Sequence, residues 1–285
     1  MGRQACEAAP AARELFERAS TVLGYDLAKL CFDGPADKLN STVYSQPALF
    51  VCGLAGVEVL RQESPEVVDS CSAAAGLSLG EYCALVFAGV MDFETGLSVV
   101  QRRGEAMQAA SDATPSGMVS VLGLELEKVE KLCDETRHDQ ILQVANHLCP
   151  GNVAISGHKA ANLRAVEMAP AAGAMKAIPL TVAGAFHTEI MRPAVARLEE
   201  VLESATLQAP RIPVVSNVDA LPHSDPDEIR GLLAKQVVSP VQWERSVRFL
   251  MAEGVESFYE IGPGRVLRGL LKRIERKMPC EGVAV

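Results

Sequence analysis

Aromatic side chains are scarce. One Trp, four Tyr and eight Phe make up 5% of the 285 residues, so small apolar residues must do much of the packing, as suits a layered α/β protein. Positive charge is also short: 27 Lys and Arg face 36 Asp and Glu, a net charge of −9. That balance argues against a nucleic-acid or anionic-membrane surface. No apolar run reaches the ~20 residues of a membrane span. The eight cysteines contain no C-x-x-C pair and no metal-ligand spacing, so they read as reduced, mostly buried thiols of an intracellular compartment. The opening M-G-R-Q-A-C-E-A-A-P is neither a signal peptide nor a transit peptide in composition. Only five histidines exist, His138, His147, His158, His187 and His223, which keeps the search for a general base short.

What is present is an ordinary globular balance, 48% hydrophobic and 22% charged, long enough for one large domain or two modest ones. The first hundred residues read as helices around one buried strand, D-S-C-S-A-A-A-G. Q-P-A-L-F-V-C-G-L-A-G-V-E-V-L is apolar nearly all round and reads as a buried helix. From about Thr114 to Val182 the order is strand, helix, strand, strand, helix, strand, the ferredoxin-like arrangement. The chain then returns to larger α/β elements, with strands expected in R-I-P-V-V-S-N-V and S-F-Y-E-I-G and a terminal helix opening at Pro263–Gly264. The predicted fold is α/β: an α/β-hydrolase-like parallel sheet core formed by 1–113 and 183–285, with the small 114–182 unit inserted.

G-L-S-L-G, from Gly76 to Gly80, matches the nucleophile-elbow pattern G-x-S-x-G between a small apolar strand and an apolar helix. Such a turn strains the serine backbone, and side chains in place of the flanking glycines would collide. It lifts the Ser78 hydroxyl clear and leaves the N–H of Leu79 free for a developing oxyanion. A glycine-flanked surface turn is the plainer alternative. His187, in A-G-A-F-H-T, falls between a predicted strand and helix, where the helix dipole keeps an imidazole neutral, as a base must be. A capping or partly buried histidine fits the same spacing. His138 and His223 fall in polar, exposed segments.

Asp92 is the expected N-cap of a helix whose stripe is Phe93, Leu97, Val100, Gly104 and Met107. Arg102 points away from that stripe. Arg103 borders it and needs an anion, either a protein carboxylate or a substrate. Spacing alone favours the structural ion pair. The last helix carries Arg265, Arg268, Lys272, Arg273, Arg276 and Lys277, readable as a docking patch for an acidic partner or as a solvated face favoured by the helix dipole.

S-Q-P-A-L-F, G-L-S-L-G-E-Y, Q-R-R-G-E-A-M-Q, C-P-G-N-V-A-I-S-G, G-A-F-H-T, P-V-V-S-N-V, V-S-P-V-Q-W and E-I-G-P-G-R-V-L together resemble the malonyl-CoA:acyl-carrier-protein transacylase family of type II fatty acid synthesis, along nearly the whole chain. The resemblance implies that Ser78 is the nucleophile and His187 its base. It implies that the main-chain carbonyl of Gln236 orients the ring, that Arg103 binds the malonyl carboxylate and that Leu79 is an oxyanion donor. Phe186 would crowd a 2-methyl branch. The implied partners are malonyl-CoA and an acidic, phosphopantetheinylated acyl carrier protein. No metal or organic cofactor, nucleic acid or membrane is implied, and the protein is expected to be a monomer. The wording is closest to plastid versions, then mitochondrial ones, so an organelle stroma or matrix is the expected location. A serine esterase, thioesterase or catalytically dead remnant is the alternative. Family members open on a strand and Gly-Gln-Gly-Ser-Gln, whose first glutamine is a second oxyanion donor. This chain starts at Met1–Gly2, and Gln4 is not that residue. The expectation from this departure is poor solubility or near-inactivity, one lost donor costing on the order of 100- to 1000-fold in rate.

Overall fold

The computed structural model describes residues 1–285. Short helices α1 (Arg3–Ala8), α2 (Pro10–Leu23), α3 (Leu27–Asp33) and α4 (Ala36–Leu39) lead into the long α5 (Thr42–Glu63). Then come α6 (Pro65–Asp69), strand β1 (Ala74–Ala75), α7 (Leu79–Phe87) and α8 (Phe93–Ala113). Helix α5 is apolar all round because it runs through the centre of the main core, packed on α2, α7 and α8. By length and composition it could cross a membrane, contrary to the expectation that no run does. Here its apolar faces are covered by neighbouring helices, with Phe50, Val51, Cys52 and Ala55 fully buried.

The middle of the chain holds β2 (Ser116–Leu122), α9 (Leu126–Arg137), β3 (Leu142–Cys149), β4 (Asn152–His158), α10 (Lys159–Met168) and β5 (Lys176–Pro179). The four strands form one antiparallel sheet in the order β3-β4-β2-β5. Val119, Val121, Val144 and Ile155 from this sheet pack under Val129, Leu132 and Ala161 of the two helices, a core of its own. Strand β5 stops at Pro179, short of the expected Val182. Proline cannot donate to a ladder, and Leu180 and Val182 are exposed.

After this sheet a 3₁₀ turn (Glu189–Met191) leads into α11 (Arg192–Ser204). Strand β6 (Val214–Val215), α12 (Pro226–Gln236), α13 (Trp243–Ala252), β7 (Phe258–Ile261), α14 (Val266–Ile274) and β8 (Cys280–Val283) follow. Parallel pairing joins β1 to β6 and β7 to β8, as two separate two-stranded pieces. The parallel core is thus real but short. Strand β8 was not foreseen: P-C-E-G-V-A-V has little strand character, and its conformation depends on the β7 edge. All eight cysteines are free, five of them buried.

Candidate active site

Strand β1 ends at Ala75, and only three residues separate it from α7, which begins at Leu79. Ser78 makes the turn with φ 51° and ψ −100°, outside ordinary L-residue geometry. The expected crowding holds on one side only. A Cβ on Gly76 would lie 1.9 Å from the backbone carbon of Gly80, whereas a Cβ on Gly80 meets nothing within 4 Å. Asn217, just past β6, braces the turn from across the sheet. Its Oδ1 accepts from the Ser78 N–H at 2.6 Å, and its Nδ2 donates to the Gly76 carbonyl at 2.7 Å. The Leu79 N–H has no acceptor in the protein, which leaves it available at the helix N-terminus.

His187 is 3% exposed and also has a positive φ, 61°. Its Nδ1 lies 2.9 Å from the main-chain carbonyl of Gln236 at the end of α12. A carbonyl only accepts, so Nδ1 carries the proton and Nε2 presents its lone pair. That lone pair faces Ser78 Oγ at 2.9 Å. Burial first, then the nearby Arg103 charge, bring the imidazole down to about 4. The ring is therefore neutral at physiological pH, as expected, with burial as the main cause.

Arg103 departs furthest from its expected setting. The predicted stripe of α8 is buried, Asp92 caps the helix by accepting from the Thr95 N–H, and Arg102 is exposed on an ion pair with Glu105. But Arg103 is not at a rim. It is 2% exposed, because α8 lies so close to α5 that a Cβ on Gly104 would sit 2.5 Å from the Thr42 carbonyl oxygen. The structural ion pair favoured by spacing is absent. Its Nη1 donates to Gln46 Oε1 at 2.7 Å, and its Nη2 donates to Gln236 Oε1 at 2.9 Å and to Ser78 Oγ at 3.0 Å. Its Nε has no partner. The ring of Tyr82 lies 5.3 Å from the guanidinium carbon, a favourable contact but not a counter-anion.

Sequence reasoning missed four contributors. Gln46, Glu81 and Asn217 received no role, and the Gln236 side chain was overlooked beside its carbonyl. Glu81 is 3% exposed and accepts at Oε2 from the Asn217 N–H at 3.0 Å and from Gln236 Nε2 at 2.8 Å. Burial pushes its carboxyl up to about 7, against the hydrogen bonds from Gln236 and Asn217 and the charge of Arg103. The available signal was polarity inside apolar helices, Gln46 in α5 and Glu81 in α7. For Glu81 that signal was masked, because an acid in a first helical turn usually serves the dipole from the surface.

Phe186, next to His187, packs against Met118, Ala145 and Ala154 of the four-stranded sheet, so it joins that sheet to the catalytic side. The other histidines serve elsewhere. His158 Nδ1 meets the Ile141 backbone, and His223 lies between Asp219 and Glu228. His223 is more covered than expected, its side chain 16% exposed. Within the basic last helix, Arg273 is already committed to the Pro150 and Gly151 carbonyls.

An acyl transferase domain model matches residues 1–281. The mitochondrial malonyl-CoA-acyl carrier protein transacylase of Mus musculus is 44% identical over 284 residues, covering 94% of this chain and 74% of the mouse protein. The malonyl CoA-acyl carrier protein transacylase of Escherichia coli K12 is 43% identical over 93% of this chain and 85% of its own length. Among solved structures, the acyl-carrier-protein S-malonyltransferase of Bartonella henselae superposes with a TM-score of 0.95 at 36% identity, covering 100% of this chain and 91% of that one. A malonyl-transacylase in complex with a type II PKS acyl-carrier protein gives 0.93 at 40% identity, covering 97% and 89%. The chain belongs to the acyl transferase family, and within it to the malonyl-CoA-acyl carrier protein transacylases.

Proposed function

We propose that this enzyme moves a malonyl group from malonyl-CoA to the phosphopantetheine thiol of an acyl carrier protein through a malonyl ester on Ser78. His187 Nε2 takes the Ser78 proton as Oγ attacks the thioester carbonyl. The tetrahedral oxyanion takes the Leu79 N–H. Collapse breaks the C–S bond, and the departing CoA sulfur recovers the proton from His187. The carrier thiol then gives its proton to His187, attacks the ester, and Oγ leaves with that proton. The Gln236 carbonyl keeps the ring in the required tautomer throughout.

One observation carries the acyl specificity: a buried guanidinium without a protein carboxylate stands 3.0 Å from the nucleophile. An unpaired buried charge is costly. A short diacid half-ester supplies the missing anion and is held by it at the reacting oxygen. Simple ester hydrolysis would leave Arg103 without a purpose, and His187 lacks the carboxylate of a hydrolase triad. The division into 1–113 with 183–285 and 114–182, and a location in an organelle, a plastid before a mitochondrion, belong to the same reading. Two of the relatives are named as mitochondrial proteins.

Incubation with malonyl-CoA followed by peptide mass mapping should find a malonyl ester on Ser78, absent in Ser78→Ala and discharged on adding phosphopantetheinylated carrier. No adduct, an adduct elsewhere, or release of free malonate in place of malonyl-carrier would overturn the reading.

A further inference from the structure

Arg103 is held by neutral acceptors only, so something must turn those acceptors toward it. Gln236 is the informative one. Its side-chain N–H groups face two acceptors, the Ser78 carbonyl at 3.0 Å and Glu81 Oε2 at 2.8 Å. Its Oε1 faces the Arg103 donor at 2.9 Å. Reversing the amide would set N–H groups against a guanidinium and an oxygen against a carboxylate and a carbonyl, so the reversed form is disfavoured on every contact. Glu81 is the only ionisable group in this arrangement on the acceptor side. It and Arg103 are both buried, and the Gln236 amide stands between them with its dipole aligned along the pair.

We propose that Glu81 is a positioning residue: by accepting the Gln236 side-chain N–H it turns the amide carbonyl to Arg103, and thereby holds the guanidinium at Ser78 for an incoming carboxylate. The inference rests on Arg103 binding the acyl carboxylate. The same Glu81 oxygen accepts from the Asn217 N–H, and Asn217 braces the serine turn. One carboxylate oxygen therefore ties the nucleophile's turn to the arginine's support. Buried residues that orient a reacting or binding group through one hydrogen bond commonly govern its precision.

A purely structural role for Glu81 would lower all acylation together. A positioning role lowers malonyl loading more than acetyl loading, because acetyl has no carboxylate for Arg103 to meet. The test measures kcat/KM for Ser78 acylation by malonyl-CoA and by acetyl-CoA in the full chain. In Glu81→Leu the malonyl-to-acetyl ratio should fall on the order of 10- to 100-fold, the worth of a hydrogen bond to a charged group. Glu81→Asp keeps the carboxyl group but withdraws its oxygen, and its ratio should fall too. Glu81→Gln can present an oxygen at the same place and should recover most of the ratio. Gln236→Leu should reproduce the Glu81→Leu loss, and the double variant should be no worse than either, since the two act in one line. An unchanged ratio in both Glu81→Leu and Glu81→Asp overturns the proposal, as do additive losses in the double variant. If Glu81→Leu does not fold, Glu81→Asp and Glu81→Gln decide it alone. Arg103→Ala separates the two readings: if it leaves the ratio intact, the role of Arg103 itself is wrong.

Discussion

A serine hydroxyl is a poor nucleophile without a base beside it. His187 Nε2 lies 2.9 Å from Ser78 Oγ, and Arg103 Nη2 donates to the same oxygen at 3.0 Å. In the proposed reaction the first accepts the hydroxyl proton, the second meets the acyl carboxylate, and the free Leu79 N–H at the helix start serves the oxyanion of the attacked carbonyl. Phe186 adjoins His187 in sequence and rests on Met118, Ala145 and Ala154, and the proposed reaction gives its ring the task of crowding a branched acyl group. Replacing it by Ala should admit a 2-methyl branch. The ratio of methylmalonyl to malonyl loading should rise on the order of 10-fold or more, one methyl group in a tight pocket being worth about 1–3 kcal/mol. Competition between the two CoA esters, read by mass spectrometry, checks this, and an unchanged ratio removes Phe186 from selection.

At the scale of elements, the elbow is held by unequal glycines. Gly76 has no room for a side chain because the first turn of α7 folds back onto it, while Gly80 has open space. Gly76→Ala should therefore unfold or severely destabilise the protein, since backbone atoms cannot yield as a flexible side chain can. Gly80→Ala, within α7, should be neutral or stabilising by up to about 1 kcal/mol from helix propensity. Urea midpoints for the two variants would test the contrast, and equal losses would refute it. Five of the site's residues come from five different elements or the turns beside them, four of them near an element's end and Arg103 from the middle of its helix. Ser78 starts α7, Arg103 lies in α8, Gln46 lies in the first turns of α5, Gln236 ends α12 and Asn217 follows β6.

For the whole molecule, the buried charges set a pH signature. The His187 imidazole falls from 6.5 to about 4. Its neutral form contributes stability above pH 6.5, and that contribution is lost as pH falls through about 4. The Glu81 carboxyl rises from 4.5 to about 7. Its protonated form contributes below pH 4.5, and that contribution is lost as pH rises through about 7. The two trends oppose each other between pH 4.5 and 6.5 and largely cancel. Variants should separate them. Relative to the parent, Glu81→Gln should gain stability as pH climbs from 4.5 to 7, and His187→Gln should gain as pH drops from 6.5 to 4. Each gain should be up to about 3 kcal/mol. Denaturant unfolding at several pH values measures both, and flat differences would show that neither group is buried as described.

Most of the order of elements, β8 excepted, and the elbow at Ser78 were legible in the sequence because they rest on local chemistry, while His187 and Arg103 were singled out by the family resemblance rather than by spacing. Alternation and helical periodicity mark faces, glycine spacing marks a tight turn, and a short roster of histidines narrows the base. What remained hidden was non-local. Helix spacing put Arg103 at a rim and gave it an ion pair, but the close approach of α5 and α8 buries it among amide oxygens. Glu81 drew no role from its sequence position, and only the packing of α12 and the loop after β6 over α7 encloses it. Asn217 lies 139 residues from the Ser78 N–H it accepts, and no periodicity links positions that far apart. Side-chain chemistry is written into the chain residue by residue, but the burial and partners that tune it exist only once distant segments close around it.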